Sequence, residues 1–189
     1  MGCAEGSLWP TLRAARARPP MDELQRLITT LEQMEALMRE QGDALHRVDA
    51  ERSGWSAAQH FYHLALATDL GLRNVRSLAA GKGRLIDHDA PPSTRMPELV
   101  ALGHFPAGAQ APRIVTPPDA VNPEFLATEL AAAREAAARL LEAGTDLASV
   151  PGRVVHQDLG ALNASQWATF ARMHAEHHLA LGRQVLGLA

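Results

Sequence analysis

Residues 170–184 read FARMHAEHHLALGRQ, and three of the protein's nine histidines, His174, His177 and His178, fall within five positions of this stretch. Extended in both directions it carries an apolar stripe at helical spacing: Trp167, Phe170, Ala171, His174, His178, Leu181, Val185 and Leu188. His174 and His178 occupy positions where leucine is expected. Four residues apart on one face of a helix, their rings can converge on a single point, the geometry that helical metal sites use. Read as plain core residues, two buried imidazoles would instead need two sets of hydrogen-bond partners. His177 lies beside the stripe as a flanking residue. An H-x3-H spacing is common, so a metal site needs a third ligand from another helix.

The sequence N-terminal to this stretch supplies three more helices. In PMDELQRLITTLEQMEALMRE, Asp22 is the expected N-cap, with Gln25 at capping-box spacing. Leu24, Leu27, Ile28, Leu31, Met34 and Met38 then recur at helical spacing. A second helix opens at GWSAAQ, where Ser56 caps, Gln59 closes the box and Trp55 takes the staple position. Its wide apolar arc (Phe61, Leu64, Ala65, Leu72 and Val75, with Leu66 and Leu70 beside them) predicts heavy burial. A third follows Asn122 as cap and Pro123 at the first helical position. It runs through Leu126, Leu130, Ala133, Ala137 and Leu140 and stops at Gly144. The histidine helix itself starts at Asn163, with Gln166 completing its box.

Between Gly81 and about Val121 proline and glycine recur throughout, so no regular helix beyond one short turn is expected there. Loops of this length inside a compact domain are often functional, and crossing the length of a bundle is one task for it. No segment shows a strand pattern long enough for a sheet. The expected fold is all-α: a four-helix bundle, up-down-down-up or up-down-up-down, with one long crossover between helices 2 and 3. Residues 1–20 read as an extension outside the core fold, and the bundle domain as residues 21–189. Gly6 stands where a myristoylation signal needs Ser or Thr.

Composition narrows the function. A net charge of −3 with dispersed arginines gives no electrostatic case for nucleic acid. No apolar run approaches the ~18–20 residues that span a bilayer. The single cysteine, Cys3, excludes an internal disulfide and fits a cytoplasmic location. For the third ligand the candidates are His60 and His63 on the second helix, with His46, His88, His104 and His156 elsewhere and His156 the runner-up. Helical geometry does not choose among them. His63 sits at the edge of the apolar arc, where it either reaches across to the histidine helix or faces water.

The stretch GWSAAQHFYHLALAT resembles the second helix of the DinB-like (damage-inducible protein B) superfamily, in which a Trp precedes a His-Leu pair by eight residues, here Trp55 and His63–Leu64. HQDLGALNASQWATFARMHAEHH is similar to the family's glycine turn, capped Trp-containing helix and H-x3-H. The loop segments GHFPAGAQAP and TPP resemble its Pro-rich crossover. The resemblance implies a four-helix bundle holding a divalent metal (Zn, Ni or Mn) through His63, His174 and His178. It also implies an activity among thiol-dependent transferases and isomerases that use low-molecular-weight thiols. One departure stands at Leu181, where relatives often carry Gln or His three residues after the double histidine.

The function expected from these residues is a metal-dependent thiol S-transferase, or a hydrolase on the same site, acting on a small-molecule substrate, with a homodimer as its assembly. The competing reading is a non-catalytic, stress-associated metal-binding or scaffold protein. Arg73, Arg76 and Arg95 are candidates to meet an anionic cosubstrate, although arginines near helix ends are commonly solvated surface.

Overall fold

The computed structural model of the protein describes residues 22–106 and 111–188, so the extension expected over residues 1–20 lies outside the described residues. Within them the α-helices are α1 (Glu23–Gln41), α2 (Ala57–Ala79), α3 (Arg95–Leu102), α4 (Pro123–Glu142) and α5 (Ala164–Val185). A two-stranded hairpin, β1 (Val154–His156) and β2 (Gly160–Leu162), precedes α5. The caps explain most of the helix starts. Ser56 and Gln59 exchange both capping-box hydrogen bonds at the head of α2, and Asn163 and Gln166 do the same for α5. Asn122 accepts the Phe125 amide at 2.9 Å, with Pro123 opening α4. At α1 the expected box with Gln25 does not form, because Asp22 accepts the earlier amide of Leu24 instead, at 2.8 Å.

The four long helices form the bundle. α1 packs on α4 and α5, and α2 packs on the same two, so α1 and α2 lie across a diagonal. Ion pairs and contacts give the directions. Glu23 meets Arg172, Arg26 meets Glu176 and Gln33 meets Arg183, so α1 and α5 run parallel. His60 meets His178, whereas Gly71 lies against Trp167, so α2 and α5 run antiparallel. On α1 and α4, Leu24 and Leu140 line one shared pocket while Glu35 meets Arg134, which makes that pair antiparallel. The bundle is therefore up-down-down-up, and the chain between the parallel helices α2 and α4 has to return along its length.

That crossover is more ordered than its prolines suggest. α3 is a two-turn helix, where at most one turn was expected. Pro97 falls in its first turn, where an amide has no acceptor within the helix and its loss costs nothing. A 3-10 turn, Arg113–Val115, follows, with Val115 buried. The crossover also docks on the hairpin that the sequence reading missed. Asp87 and Arg153 exchange backbone hydrogen bonds of 2.8 Å, the Ser93 amide donates to the Ala161 carbonyl, and the Ser93 hydroxyl donates to the Leu159 carbonyl. Three-residue strands are too short to show alternation; the hairpin is defined by this docking. Gly152 (φ +84°) is required at its entry, since a Cβ there would lie 2.7 Å from Ile86.

The stripe expected on α5 holds for its first half only. Trp167, Phe170, Ala171 and His178 are buried and His174 is half-buried, but Leu181 and Val185 are also only half-buried and Leu188 is exposed. The buried face instead continues through Ala168, Ala175, Leu179 and Gly182. Gly182 on this face lets α2 approach closely. A Cβ on Gly182 would sit 2.5 Å from Cε1 of Phe61.

Candidate metal centre

His60 and His63 lie one turn apart on α2, just inside its capping box, and both are buried. His174 and His178 lie one turn apart on the facing stretch of α5. Because α2 and α5 are antiparallel neighbours, the four rings meet between them. One nitrogen each from His63, His174 and His178 lies within 4.8 Å of the other two. Nε2 of His174 is 3.3 Å from Nε2 of His63 and 3.0 Å from Nε2 of His178. At metal–nitrogen distances of about 2.0–2.1 Å, neighbouring ligand atoms stand roughly 2.8–3.0 Å apart around an octahedral ion and roughly 3.3–3.4 Å apart around a tetrahedral one. Two of the three spacings match such an ion, and the three histidines could hold one.

The second ring nitrogens of His63 and His178 are also engaged. Nδ1 of His63 lies 2.9 Å from the carbonyl oxygen of Val115, in the 3-10 turn of the crossover. Nδ1 of His178 lies 3.0 Å from Nδ1 of His60, whose Nε2 lies 2.8 Å from Oγ of Ser53. The ring of Trp55 packs against both His60 and His63, at centroid distances of 5.4 and 5.3 Å. On the α5 side, Phe170 stacks on His174 with an interplanar angle of 20°. Phe105, from the crossover, packs on His174 and His177. The walls of the cluster are thus largely aromatic.

Burial in these walls sets the charge state. Loss of hydration pushes every imidazole of the cluster down from its usual 6.5, and neighbouring histidines push in the same direction. His60 is lowered to about 4, first by burial and then by His63 and His177. For His63 burial outweighs the opposing hydrogen bond to Val115. His174 and His178 are lowered further, first by burial and then by neighbouring histidines, His63 for both and His174 for His178. All are neutral at neutral pH, the form in which an imidazole offers a lone pair to a metal.

The other candidates are placed elsewhere. His46, His88 and His104 are exposed. Nδ1 of His156 accepts the amides of Asp158 and Leu159, which fixes it as part of the hairpin, while its ring packs on Phe170. His177 is half-buried against Phe105. Arg73 is exposed and paired with Asp69, Arg76 is exposed, and Arg95 donates to the Asp158 carbonyl. Ser53 and Val115 were not singled out in the sequence. Val115 contributes a carbonyl, which no side-chain motif can signal, and Ser53 is one of several polar residues leading into α2.

Residues 26–181 match the family model described as the DinB superfamily. No curated protein and no solved structure matches the chain.

Proposed function

The chain belongs to the DinB superfamily, and from that premise we propose that it is a divalent-metal-dependent enzyme, a thiol-dependent S-transferase or a hydrolase, working at His63, His174 and His178. The convergence of three neutral imidazole nitrogens from two helices supports this reading most directly. A Zn, Ni or Mn ion held there would supply Lewis acidity and would lower the pKa of a coordinated thiol or water toward neutrality. The chain's own residues do the rest. Val115 orients the ring of His63, and Trp55, Phe105 and Phe170 exclude water from the surroundings of the ligand rings, so that charge developing at the site is poorly screened.

One observation favours a second reading, a non-catalytic metal-binding bundle. Arg73 and Arg95, candidates for meeting an anionic thiol, are engaged by Asp69 and the Asp158 carbonyl. Two measurements separate the readings. Elemental analysis of protein purified without a polyhistidine tag should find close to one divalent ion per chain. The loaded protein should then conjugate a low-molecular-weight thiol to a model electrophile, or hydrolyse a model ester or amide, faster than its His174→Ala variant. Stoichiometric metal with neither activity would favour the non-catalytic reading; no metal would remove both.

A further inference from the structure

His60 is a buried histidine that touches the three-histidine cluster without belonging to it. The residue is 3% exposed, and its two ring nitrogens face Nδ1 of His178 at 3.0 Å and Oγ of Ser53 at 2.8 Å. The Ser53 oxygen also accepts the amide of Trp55, at 3.1 Å, and so is fixed at the entry to α2. Ser53, His60 and His178 thus form a hydrogen-bonded line that ends at Nε2 of His178, the atom facing His174.

Each link of that line holds one proton, and each neutral imidazole carries one N–H. Only two arrangements satisfy it. In the first, Nδ1–H of His178 donates to Nδ1 of His60, and Nε2–H of His60 donates to Ser53. This leaves Nε2 of His178 with a free lone pair. In the second, the Ser53 hydroxyl donates to Nε2 of His60, and Nδ1–H of His60 donates to Nδ1 of His178. The proton of His178 then sits on Nε2 and points at His174, which closes the position to any cation.

We propose that His60 is a positioning residue for the centre: anchored by Ser53, it accepts Nδ1–H of His178 and so holds Nε2 of His178 open as a metal ligand. This rests on the metal-site reading above. An acceptor on the far nitrogen of a ligating imidazole fixes its tautomer and orientation and raises its basicity. His63 has the same arrangement through the Val115 carbonyl. His60 differs in that it can also donate, so the line presents an open or a closed His178 according to the direction in which its protons point.

The test measures Zn²⁺ affinity by competition with a chromogenic chelator for the full chain and for His60→Leu, His60→Gln and Ser53→Ala. Loss of the acceptor in His60→Leu should weaken binding by about 10–100-fold while leaving full stoichiometry at excess Zn²⁺. His60→Gln keeps an acceptor and a donor and should recover most of that loss. Ser53→Ala should cost a smaller factor. Long-range ¹⁵N–¹H spectra of the metal-free protein should show His178 protonated at Nδ1 in the wild type and should lose that preference in His60→Leu, a signature that packing alone would not produce. Zn²⁺ bound by His60→Leu as tightly as by the wild type, or His178 protonated at Nε2 in the metal-free wild type, would overturn the proposal while the metal site stands. A wild type that takes up no Zn²⁺ would instead overturn the metal reading itself. Should His60→Leu fail to fold, His60→Gln, Ser53→Ala and the spectra still decide the matter.

Discussion

The carbonyl oxygen of Val115 lies 2.9 Å from Nδ1 of His63, across 52 residues of chain. A carbonyl can only accept, so Nδ1 of His63 carries the proton and its Nε2 lone pair points toward His174. The crossover is therefore part of the site's construction. It reaches the site because α2 and α4 run parallel and the chain must return along the bundle.

Val115 is 3% exposed, and its side chain seats the turn that carries this carbonyl. Val115→Ala should cost roughly 1–3 kcal/mol in metal-free stability through lost burial. It should also weaken Zn²⁺ binding severalfold, because the carbonyl is no longer held. Calorimetric titration checks this; destabilisation with unchanged affinity would show that His63 does not depend on the turn.

Replacement of His63, His174 or His178 by alanine should each remove most of the bound metal, since two imidazoles leave a far weaker site. His177→Ala should keep near-full occupancy, because its ring lies against Phe105 and outside the cluster. Elemental analysis of the four purified variants provides the comparison. Wild-type occupancy in His174→Ala would show the three ligands to be misassigned and would direct attention to His156.

Much of this was legible in the sequence, for physical reasons that can be named. The boxes at Ser56–Gln59 and Asn163–Gln166 are local, short-range devices, and they mark the helix starts without reference to the fold. The pairing of His174 with His178 is a matter of helical pitch. What resisted reading depends on how elements meet. Pro97 signals a break unless one knows that it lies in a first helical turn. β1 and β2 are stabilised by contacts with residues 87–93, and the line from His178 to Ser53 follows from the placement of α2 on α5. The turn of the α5 face away from Leu181 comes from the close approach of Phe61 to Gly182.

That approach gives a prediction in which two effects oppose each other. Gly182 lies inside α5, where alanine would gain up to about 1 kcal/mol of helix propensity. The added methyl, however, would stand 2.5 Å from Cε1 and 2.8 Å from Cζ of Phe61, a fully buried ring. Overpacking of this kind costs about 1–3 kcal/mol, so Gly182→Ala should be net destabilising in chemical denaturation. A more stable variant would mean that α2 and α5 pack less closely than described.

Acid should destabilise the metal-free protein before its carboxylates titrate. His60 has a folded pKa of about 4 against 6.5 when solvated, so the unfolded chain binds more protons between those values. Its contribution is fully present above about pH 6.5 and is lost as the pH falls toward 4. The full span is worth about 3 kcal/mol for this one residue. His63, His174 and His178 are lowered as well and act in the same direction. Urea unfolding with chelator present should therefore show the midpoint falling between pH 7 and pH 5. A flat profile across that window would contradict neutral burial of the cluster.

Removal of metal should have the largest thermal effect. An ion that binds the native state alone stabilises it by RT ln(1 + [L]/Kd), about 4 kcal/mol at a thousandfold excess over Kd. For a chain of this size each kcal/mol moves the melting temperature by about 2–4 °C, so excess chelator should lower it by roughly 10 °C. Zn²⁺, Ni²⁺ or Mn²⁺ added back should reverse the drop, and the ion that reverses it at the lowest concentration identifies the preferred one. The control is His63→Ala. If stabilisation acts through the three histidines, chelator should leave the melting temperature of that variant nearly unchanged. The difference between the two proteins then isolates the site from any adventitious metal on the surface. An equal drop in both would place the bound ion away from His63, and an absence of any drop in the wild type would leave the three imidazoles as core residues bonded to one another, to Val115 and to His60.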